Sequence, residues 1–297
     1  MKTNMVGAIN NALDLAMAEN PDVVLLGEDI GKDGGVFRAT DGLQAKYGEG
    51  RVMDTPLAES VILGSSIGMA MAGLHPVAEI QFAGFMFMGF GQLINHAARY
   101  RSRTRSSRTV PMVVRTPVSG GVRTLEHHSE SPEAYYSHIG GLIVVEPATP
   151  YDAKGLLIKA LHMNDPVVFL EPTKLYRLFK QEIPDEMYEV EIGKANVVGE
   201  GSDISIITYG TMHYRVLLCK YPHLAAYRCG NVNNSLVSLY LEERLVLLYR
   251  IAVLDKPFLE VALGDTFPDI NKPYLLQINH SDIILSIAFD ILSALGM

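Results

Sequence analysis

Glu59 is the first side chain whose type and position could do chemistry, because a carboxyl beside a bound ligand can move protons. It lies in Asp54-Thr55-Pro56-Leu57-Ala58-Glu59-Ser60, directly before an apolar stretch, Val61 to Gly73, that predicts a helix. A structural explanation competes with this one. Pro56 is suited to open a helix, and the helix dipole favours an acidic residue in the first turn. The local sequence favours the structural explanation and leaves proton transfer as the alternative.

Two adjacent imidazoles, His127 and His128, follow the glycine loop Ser119-Gly120-Gly121 and stand between Glu126 and Glu130. Adjacent histidines do not have the spacing of common metal sites, such as two histidines one helical turn apart. The sequence therefore predicts no metal ligands here. A histidine that transfers protons in a cleft is favoured, because the pKa of imidazole lies near neutrality.

Aromatic and basic side chains are concentrated between residues 82 and 108. The aromatic group is Phe82, Phe85, Phe87 and Phe90. Core packing is the default explanation for it, although one ring could serve as a stacking platform for a flat cofactor. The basic group, five arginines between residues 99 and 108, is typical of a solvated helix end and loop.

Composition narrows the class of protein. The chain has 297 residues, is 48% hydrophobic and 20% charged, and carries a formal net charge of −8. These values are typical of a globular protein and argue against nucleic acid as the main partner. The two cysteines, Cys219 and Cys229, suit a reducing compartment. No apolar run is long enough for a membrane helix, and Asp14 and Glu19 do not fit a signal or transit peptide, so we expect a cytoplasmic protein without membrane contact.

The apolar pattern predicts an α/β fold. Val6, Ile9, Leu13 and Met17 share one face of a helix that Pro21 ends, and an apolar run without alternation, Val23 to Gly27, follows. Similar runs recur with helical stretches between them, as expected for a mainly parallel sheet. A polar, turn-rich stretch suggests a first domain over 1–185, a linker over 186–202 and a second domain over 203–297. Asp203 to Gly210 is the predicted first strand of that second domain.

Phosphate-binding motifs are missing. Gly264-Asp265 begins like the diphosphate motif of thiamine enzymes, but Thr266 stands where that motif needs glycine. No Gly-x-Gly-x-x-Gly fingerprint follows a strand, and no Walker lysine loop is present. A nucleotide-binding module therefore lacks support, and the chain has no diphosphate–Mg²⁺ site of its own.

Several stretches, in order along residues 1 to about 212, carry a family resemblance. They are Leu26-Gly27-Glu28-Asp29-Ile30-Gly31, Gly34-Gly35-Val36-Phe37-Arg38, Asp41-Gly42-Leu43-Gln44, Asp54-Thr55-Pro56-Leu57-Ala58-Glu59, Glu79-Ile80-Gln81-Phe82, His128-Ser129-Glu130-Ser131-Pro132-Glu133-Ala134, Pro150-Tyr151-Asp152-Ala153-Lys154-Gly155-Leu156-Leu157 and Lys174-Leu175-Tyr176-Arg177. Taken together, they resemble the beta subunit of the decarboxylating first component of 2-oxo acid dehydrogenase complexes, which belongs to the transketolase-like thiamine diphosphate family.

The resemblance implies a fold, cofactors and partners. The fold is α/β, with two three-layer α/β/α domains whose sheets are mainly parallel: a transketolase-like pyrimidine-binding domain and a C-terminal domain. Thiamine diphosphate is shared with an alpha subunit, which holds the diphosphate and Mg²⁺ in an α2β2 heterotetramer. A monovalent cation such as K⁺ is compatible with the family. The substrate is a 2-oxo acid, and the acyl group passes to a lipoyl-bearing acyltransferase.

The resemblance also assigns roles to single residues. Glu59 falls on the glutamate that shares a proton with the pyrimidine ring, which makes it both a catalytic and a cofactor-binding residue. Phe85 falls on the aromatic residue that packs on that ring, and Gln81 lines the same pocket. His128 falls on the histidine that handles a proton when the lipoyl dithiolane opens, and the loop around Gly120-Gly121 would present it as a mobile element.

The resemblance weakens after Met212, which leaves two questions open. The family's Asp-Leu-Arg-Thr strand and its His-Glu-Ala stretch are missing, and only Asp265-Thr266-Phe267-Pro268 and a helix-like end, Asp282 to Leu295, match. A noncatalytic or assembly-defective paralogue is therefore one alternative. Substrate is the other question: pyruvate is the main prediction, and a branched-chain substrate, 2-oxoisovalerate, is the alternative.

Overall fold

A computed structural model describes residues 1–120, 123–200, 206–220, 277–278 and 283–284, and the chain separates into two compact units, Met1–Thr211 and Met212–Met297. The helices are α1 (Met5–Glu19), α2 (Leu43–Tyr47), α3 (Glu59–Met71), α4 (Ala98–Arg103), α5 (Glu133–Ser137), α6 (Pro150–Leu161) and α7 (Gly210–Lys220). The strands are β1 (Lys2–Thr3), β2 (Val23–Gly27), β3 (Val52–Asp54), β4 (His75–Glu79), β5 (Val113–Val118), β6 (Ile143–Val145), β7 (Val167–Pro172), β8 (Gln181–Glu182), β9 (Gln277–Ile278) and β10 (Ile283–Ile284). Within these described ranges, no helix is long and apolar enough to cross a membrane.

The first unit is built on a six-stranded parallel sheet with the strand order β3-β2-β4-β5-β7-β6, which confirms the predicted α/β class. The chain leaves β2 toward β3 on one side, whereas β4 pairs with β2 on the other side. Strand order therefore reverses between β3 and β4. In open α/β sheets, ligands bind at the carboxyl ends of the strands at such a reversal.

Helices cover both faces of this sheet, which explains its apolar strands. All five residues of β2 are buried. Side chains alternate between the two faces of a strand. Leu26 and Ala78 join a core cluster with Ile62 and Leu63 of α3. The neighbouring residue Leu25 must then face the other side, where α1 contacts β2 and packs against α6.

A buried ionic network joins the carboxyl ends of β4, β5 and β7. Arg115, only 1% exposed, donates to Glu171 through Nε (2.7 Å) and Nη2 (3.0 Å) and to Glu79 through Nη1 (2.9 Å). The hydroxyl of Tyr176 donates to Glu171 at 2.6 Å. Burial raises the pKa of Glu79, with a contribution from Glu171, and Arg115 opposes that rise. The network thus fixes three strand ends beside one another.

Residues 181–190 form a strap that lies across α6. Lys154 is fully buried, and its ammonium donates to the carbonyls of Pro184 (2.7 Å) and Asp185 (3.0 Å). The ring of Tyr188 stacks on Tyr151 with centroids 4.5 Å apart, and the amide of Val190 donates to Gly155. The strap is therefore held by charge, ring stacking and backbone hydrogen bonding together.

Two carboxyls, Glu133 and Glu146, lie close together away from the point where strand order reverses. Glu146 follows β6, and Glu133 opens α5. Burial and the nearby Glu133 raise the pKa of Glu146 to about 8. Gly210 passes so close that a Cβ there would collide with the Glu146 carboxyl, and the Tyr209 hydroxyl donates to Glu133 at 3.4 Å. At neutral pH Glu146 is thus a protonated carboxyl, and Gly210 packs directly against it.

This pair predicts how stability changes with pH. The folded chain holds the Glu146 proton up to about pH 8, whereas an unfolded chain releases it near 4.5. Between these values the folded state binds more protons, so the free energy of unfolding falls as pH rises. We expect Glu146→Gln to reduce this fall by as much as about 1.4 kcal/mol per pH unit between these values, in urea unfolding followed by circular dichroism. The exposed Glu49→Gln serves as the control, and equal pH slopes for wild type and Glu146→Gln would contradict the prediction.

Two predicted elements of the second domain differ from the structure, and one predicted loop is only partly covered. Residues 206–209 are not in a strand, and Gly210 begins α7, so the strand predicted from Asp203 to Gly210 is wrong over its described part. The helix predicted from Asp282 contains the strand β10, and its remaining residues lie outside the described ranges. Gly121, central to the predicted mobile loop, also lies outside them. A strand-like run of residues forms a strand only where a neighbouring strand pairs with it, and the local sequence does not show whether one is present. This explains why the strand predicted from Asp203 is wrong.

Candidate functional site

The candidate site lies at the carboxyl ends of β2 and β4, where strand order reverses. Glu28 and Asp29 directly follow β2, and Gln81 follows β4 by two residues. Glu59 is the first residue of α3, after β3 and a short connection. Acidic and amide side chains from three connections are therefore carried to one edge of the sheet.

Glu28 and Glu59 are the charged centre of this edge. Glu28 is 4% exposed, and its Oε1 has no hydrogen-bond partner in the part of the chain that the structure describes. Burial, then the charge of Glu59, then that of Asp29 raise the pKa of Glu28 to about 7. Glu59 is half-buried and lies in the first turn of α3, at the N-terminus of that helix.

This arrangement suits proton transfer. Glu28 gains or loses its proton near neutral pH beside a second carboxyl, Glu59, and carboxyl pairs in different environments typically divide the roles of acid and base. A buried polar atom without a partner is costly, so the unpaired Oε1 of Glu28 is a candidate contact for a polar ligand. The hydroxyl of Thr55 is also unpaired among the described residues, and the amide of Thr55 bonds the carbonyl of Gly27 beside Glu28.

Gln81 is tied to the same edge through Asp29. The Gln81 side-chain amide donates to Asp29 Oδ2 at 3.4 Å. Asp29 has a φ of 55°, a left-handed conformation that is uncommon for a residue with a side chain. Strained backbone of this kind is concentrated at functional sites. In this conformation Asp29 reaches the side chain of Gln81, two residues after the end of β4.

An aromatic group adjoins Gln81 in sequence. Phe82 is buried, Phe85 is half-buried, and their ring centroids lie 6.2 Å apart. His128, on the short 3-10 turn Glu126–His128, packs edge-on against both rings, with its centroid 4.4 Å from Phe82 and 5.3 Å from Phe85. The partly exposed ring of Phe85 is thus the member of this group that could stack on a flat ring.

The four side chains assigned from the sequence fall into two contacting groups. Glu59 is coupled to Glu28, and Gln81 is bonded to Asp29. Phe85 and His128 contact each other. The segment that carries Phe85 also approaches the start of α3, because a Cβ at Gly89 would lie 3.2 Å from the carbonyl oxygen of Glu59. Sequence reasoning gave no role to Glu28 or Asp29; their position directly after a predicted strand was the available signal.

Comparison with known proteins places this geometry in context. A family model described as the transketolase pyrimidine-binding domain matches residues 1–178. The chain is 57% identical over 208 residues to the pyruvate dehydrogenase E1 component subunit beta of Acholeplasma laidlawii, covering 70% of this chain and 64% of that protein. It is 50% identical over 221 residues to the protein of the same name from Mycoplasma genitalium, covering 74% and 68% respectively. The chain thus spans about two thirds of the length of these relatives.

A solved structure supports the fold. The chain of a split-gene transketolase, described as an inactive beta4 tetramer, superimposes with a TM-score of 0.59 at 22% identity, over 75% of this chain and 68% of that one. At this level of identity the likeness concerns architecture alone.

Proposed function

The chain belongs to the transketolase-like thiamine diphosphate family, among the beta subunits of pyruvate dehydrogenase E1 components, and from this membership we propose that it decarboxylates pyruvate oxidatively together with an alpha subunit. The acetyl group passes to the lipoyl group of an acyltransferase. One observation carries the proposal: the coupled carboxyls of Glu28 and Glu59 at the strand-order reversal, beside Gln81 and Phe85.

The residues at this edge fit the pyrimidine half of thiamine diphosphate. A pyrimidine is flat and carries ring nitrogens and an amino group, which need a stacking partner and proton donors or acceptors. Phe85 offers a half-exposed ring, Glu59 a carboxyl, and Glu28 and Thr55 polar atoms that lack partners within the described ranges. When bound, thiamine diphosphate supplies the electron sink for decarboxylation.

The contributions of this chain follow from its own side chains. Glu59 holds or releases a proton at a pyrimidine nitrogen, and the helix N-terminus stabilises its charge. Phe85 fixes the plane of the ring, and Gln81, held by Asp29, borders the same pocket. His128 handles a proton during acyl transfer to the lipoyl group. In this proposal a carboxyl and an imidazole thus serve different steps: Glu59 acts on the pyrimidine, and His128 acts in acyl transfer.

Further cofactors and partners belong to the same proposal. The sequence lacks a complete diphosphate motif, since Thr266 follows Gly264-Asp265, so the alpha subunit supplies the diphosphate and Mg²⁺ site of an α2β2 heterotetramer. A monovalent cation such as K⁺ binds through backbone carbonyls, and the cytoplasm is the place of action. The names of the relatives favour pyruvate over a branched-chain substrate.

Co-expression with an alpha subunit tests the function. We expect a complex of tetramer size that decarboxylates pyruvate with a dye acceptor and prefers pyruvate to 2-oxoisovalerate. A complex that forms but shows no activity with either substrate would overturn the catalytic proposal. Failure of the two chains to associate, seen in light scattering of the co-purified sample, would favour the assembly-defective paralogue. A preference for 2-oxoisovalerate would overturn only the substrate.

The pKa of Glu28 predicts a pH effect on the complete enzyme. Below about pH 7 Glu28 is neutral; above it Glu28 carries a negative charge beside Glu59 and the bound pyrimidine. We expect the wild-type kcat to show an inflection near pH 7 that Glu28→Gln removes, because an amide does not titrate. Steady-state rates between pH 5.5 and 8.5 measure this, and an unchanged inflection in the variant would assign it to another group.

A further inference from the structure

The short segment from Phe82 to Phe85 contacts the His127–His128 segment through both side chains and backbone. The rings of Phe82 and Phe85 meet the His128 imidazole at 67° and 82°. The backbone contact is tighter: a Cβ at Gly84 would collide with the carbonyl oxygen of His127 and lie 3.0 Å from its Cα. Only glycine at position 84 lets the two backbones approach this closely.

Phe82 is buried and packs against a second group of aromatic rings besides His128. It is 9% exposed, and its ring meets Phe37 edge-on with centroids 5.7 Å apart. The Phe37 ring packs on Tyr176 at 4.9 Å, and the Phe37 carbonyl accepts from Arg177 Nη2 at 2.7 Å. Tyr176 in turn bonds Glu171 of the buried ionic network. The contact surface for His128 is thus connected to the buried ionic network that joins three strand ends.

The His127–His128 segment has weaker support from its own loop. The Thr124 hydroxyl donates to the carbonyl of His128 at 3.2 Å, and the Ser129 hydroxyl donates to the carbonyl of Thr124 at 3.2 Å. Both bonds are exposed to solvent, where water competes for donors and acceptors. Orientation of the imidazole therefore depends mainly on the rings and on the close backbone contact at Gly84.

We propose that Phe82 and Gly84 are positioning residues for His128, which set the imidazole for proton transfer during acyl transfer to the lipoyl group. This inference rests on the proposed function, in which His128 serves that step and Glu59 serves decarboxylation. A misplacement of about 1 Å can cost about 100-fold in rate. A displaced imidazole should therefore slow acyl transfer and leave decarboxylation unaffected.

Two rates measured on the complete α2β2 enzyme separate the steps. Dye-linked pyruvate decarboxylation does not use the lipoyl group, whereas acetylation of an isolated lipoyl domain does. For Gly84→Ala and Phe82→Leu we expect acetylation to fall by about 10- to 100-fold and decarboxylation to stay within about twofold. Gly50→Ala is the matched control, because a Cβ there meets nothing within 4 Å, and it should change neither rate.

Hydrogen exchange gives a readout that does not depend on activity. In Gly84→Ala we expect faster exchange at the amides of His128 and Ser129, which bond the carbonyls of Leu125 and Glu126. Mass spectrometry of peptides covering residues 124–130 measures the change, and strands β2 and β4 should keep their protection. Unchanged exchange in both variants would overturn the inference, even if the wild-type complex proved inactive.

His128→Gln distinguishes failure of the inference from failure of the proposed function. If His128→Gln keeps full acetylation, the role proposed for His128 is wrong, and the inference falls with it. If His128→Gln loses acetylation while both positioning variants keep it, only the inference is overturned. Equal loss of both rates in Gly84→Ala and Phe82→Leu would indicate a general structural role and would overturn it as well.

Discussion

Glu59→Gln is expected to lower pyruvate decarboxylation by the complete enzyme at least about 100-fold. Glutamine keeps the size of the side chain and its place at the start of α3, but it cannot exchange a proton with a pyrimidine nitrogen. Stability should change little, because the interaction of a carboxylate with the dipole at the start of a helix typically contributes only about 0.3 to 1 kcal/mol. The rate and the melting temperature of the same preparation are the two measurements.

Asp152→Asn is the matched control for this experiment. Asp152 also lies in the first turn of a helix, α6, and its oxygen accepts from the Thr149 hydroxyl, so its replacement tests the loss of a helix-start carboxyl. We expect that variant to lose some stability and to keep its decarboxylation rate. Full activity of Glu59→Gln, with a small drop in melting temperature, would show that Glu59 only stabilises the start of α3.

Arg115→Met is expected to cause the largest loss of stability, about 3 to 5 kcal/mol in the free energy of unfolding. The substitution leaves Glu79 and Glu171 buried without their cation, and Tyr176 then provides the remaining hydrogen bond to Glu171. Urea unfolding of the whole chain measures the loss. The additional change Glu79→Gln should recover part of it, because one buried carboxyl is then neutral at every pH.

An exposed ion pair provides the comparison for Arg115. Arg101 and Asp165 form a bidentate pair at 2.6 and 3.0 Å, but both side chains are more than a third exposed. Exposed pairs contribute at most about 1 kcal/mol. Arg101→Met should therefore destabilise the chain far less than Arg115→Met, and equal losses would mean that burial does not decide the effect.

The sequence predicted the central strands because they are buried on both faces. The runs that become β2 and β7 are apolar without alternation, and the helix pattern from Val6 to Met17 lies within α1 as observed. Strand β3, by contrast, has only three residues and includes Asp54. Such a short, partly polar strand carries no periodic signal, so its pairing with β2 emerges only in the folded sheet.

The candidate site was predictable only in part, for a related reason. Glu59, Gln81, Phe85 and His128 were assigned through resemblance, whereas local sequence favoured a structural explanation for Glu59. The coupling between Glu28 and Glu59 and the bond from Gln81 to Asp29 depend on which strands are neighbours. Strand order depends on contacts between residues far apart in the sequence. The electrostatic coupling and the hydrogen bond that it creates therefore cannot be predicted from local sequence.

The strap over α6 has a consequence for how the sequence of this protein can evolve. Lys154, Gly155 and Tyr188 close the sheet-bearing unit with its own residues by about position 190. A gene break downstream of that closure would leave all six strands of the parallel sheet, and the strap that covers α6, in one piece. The amino-terminal two thirds can thus be inherited together as one stretch of sequence while the remainder drifts.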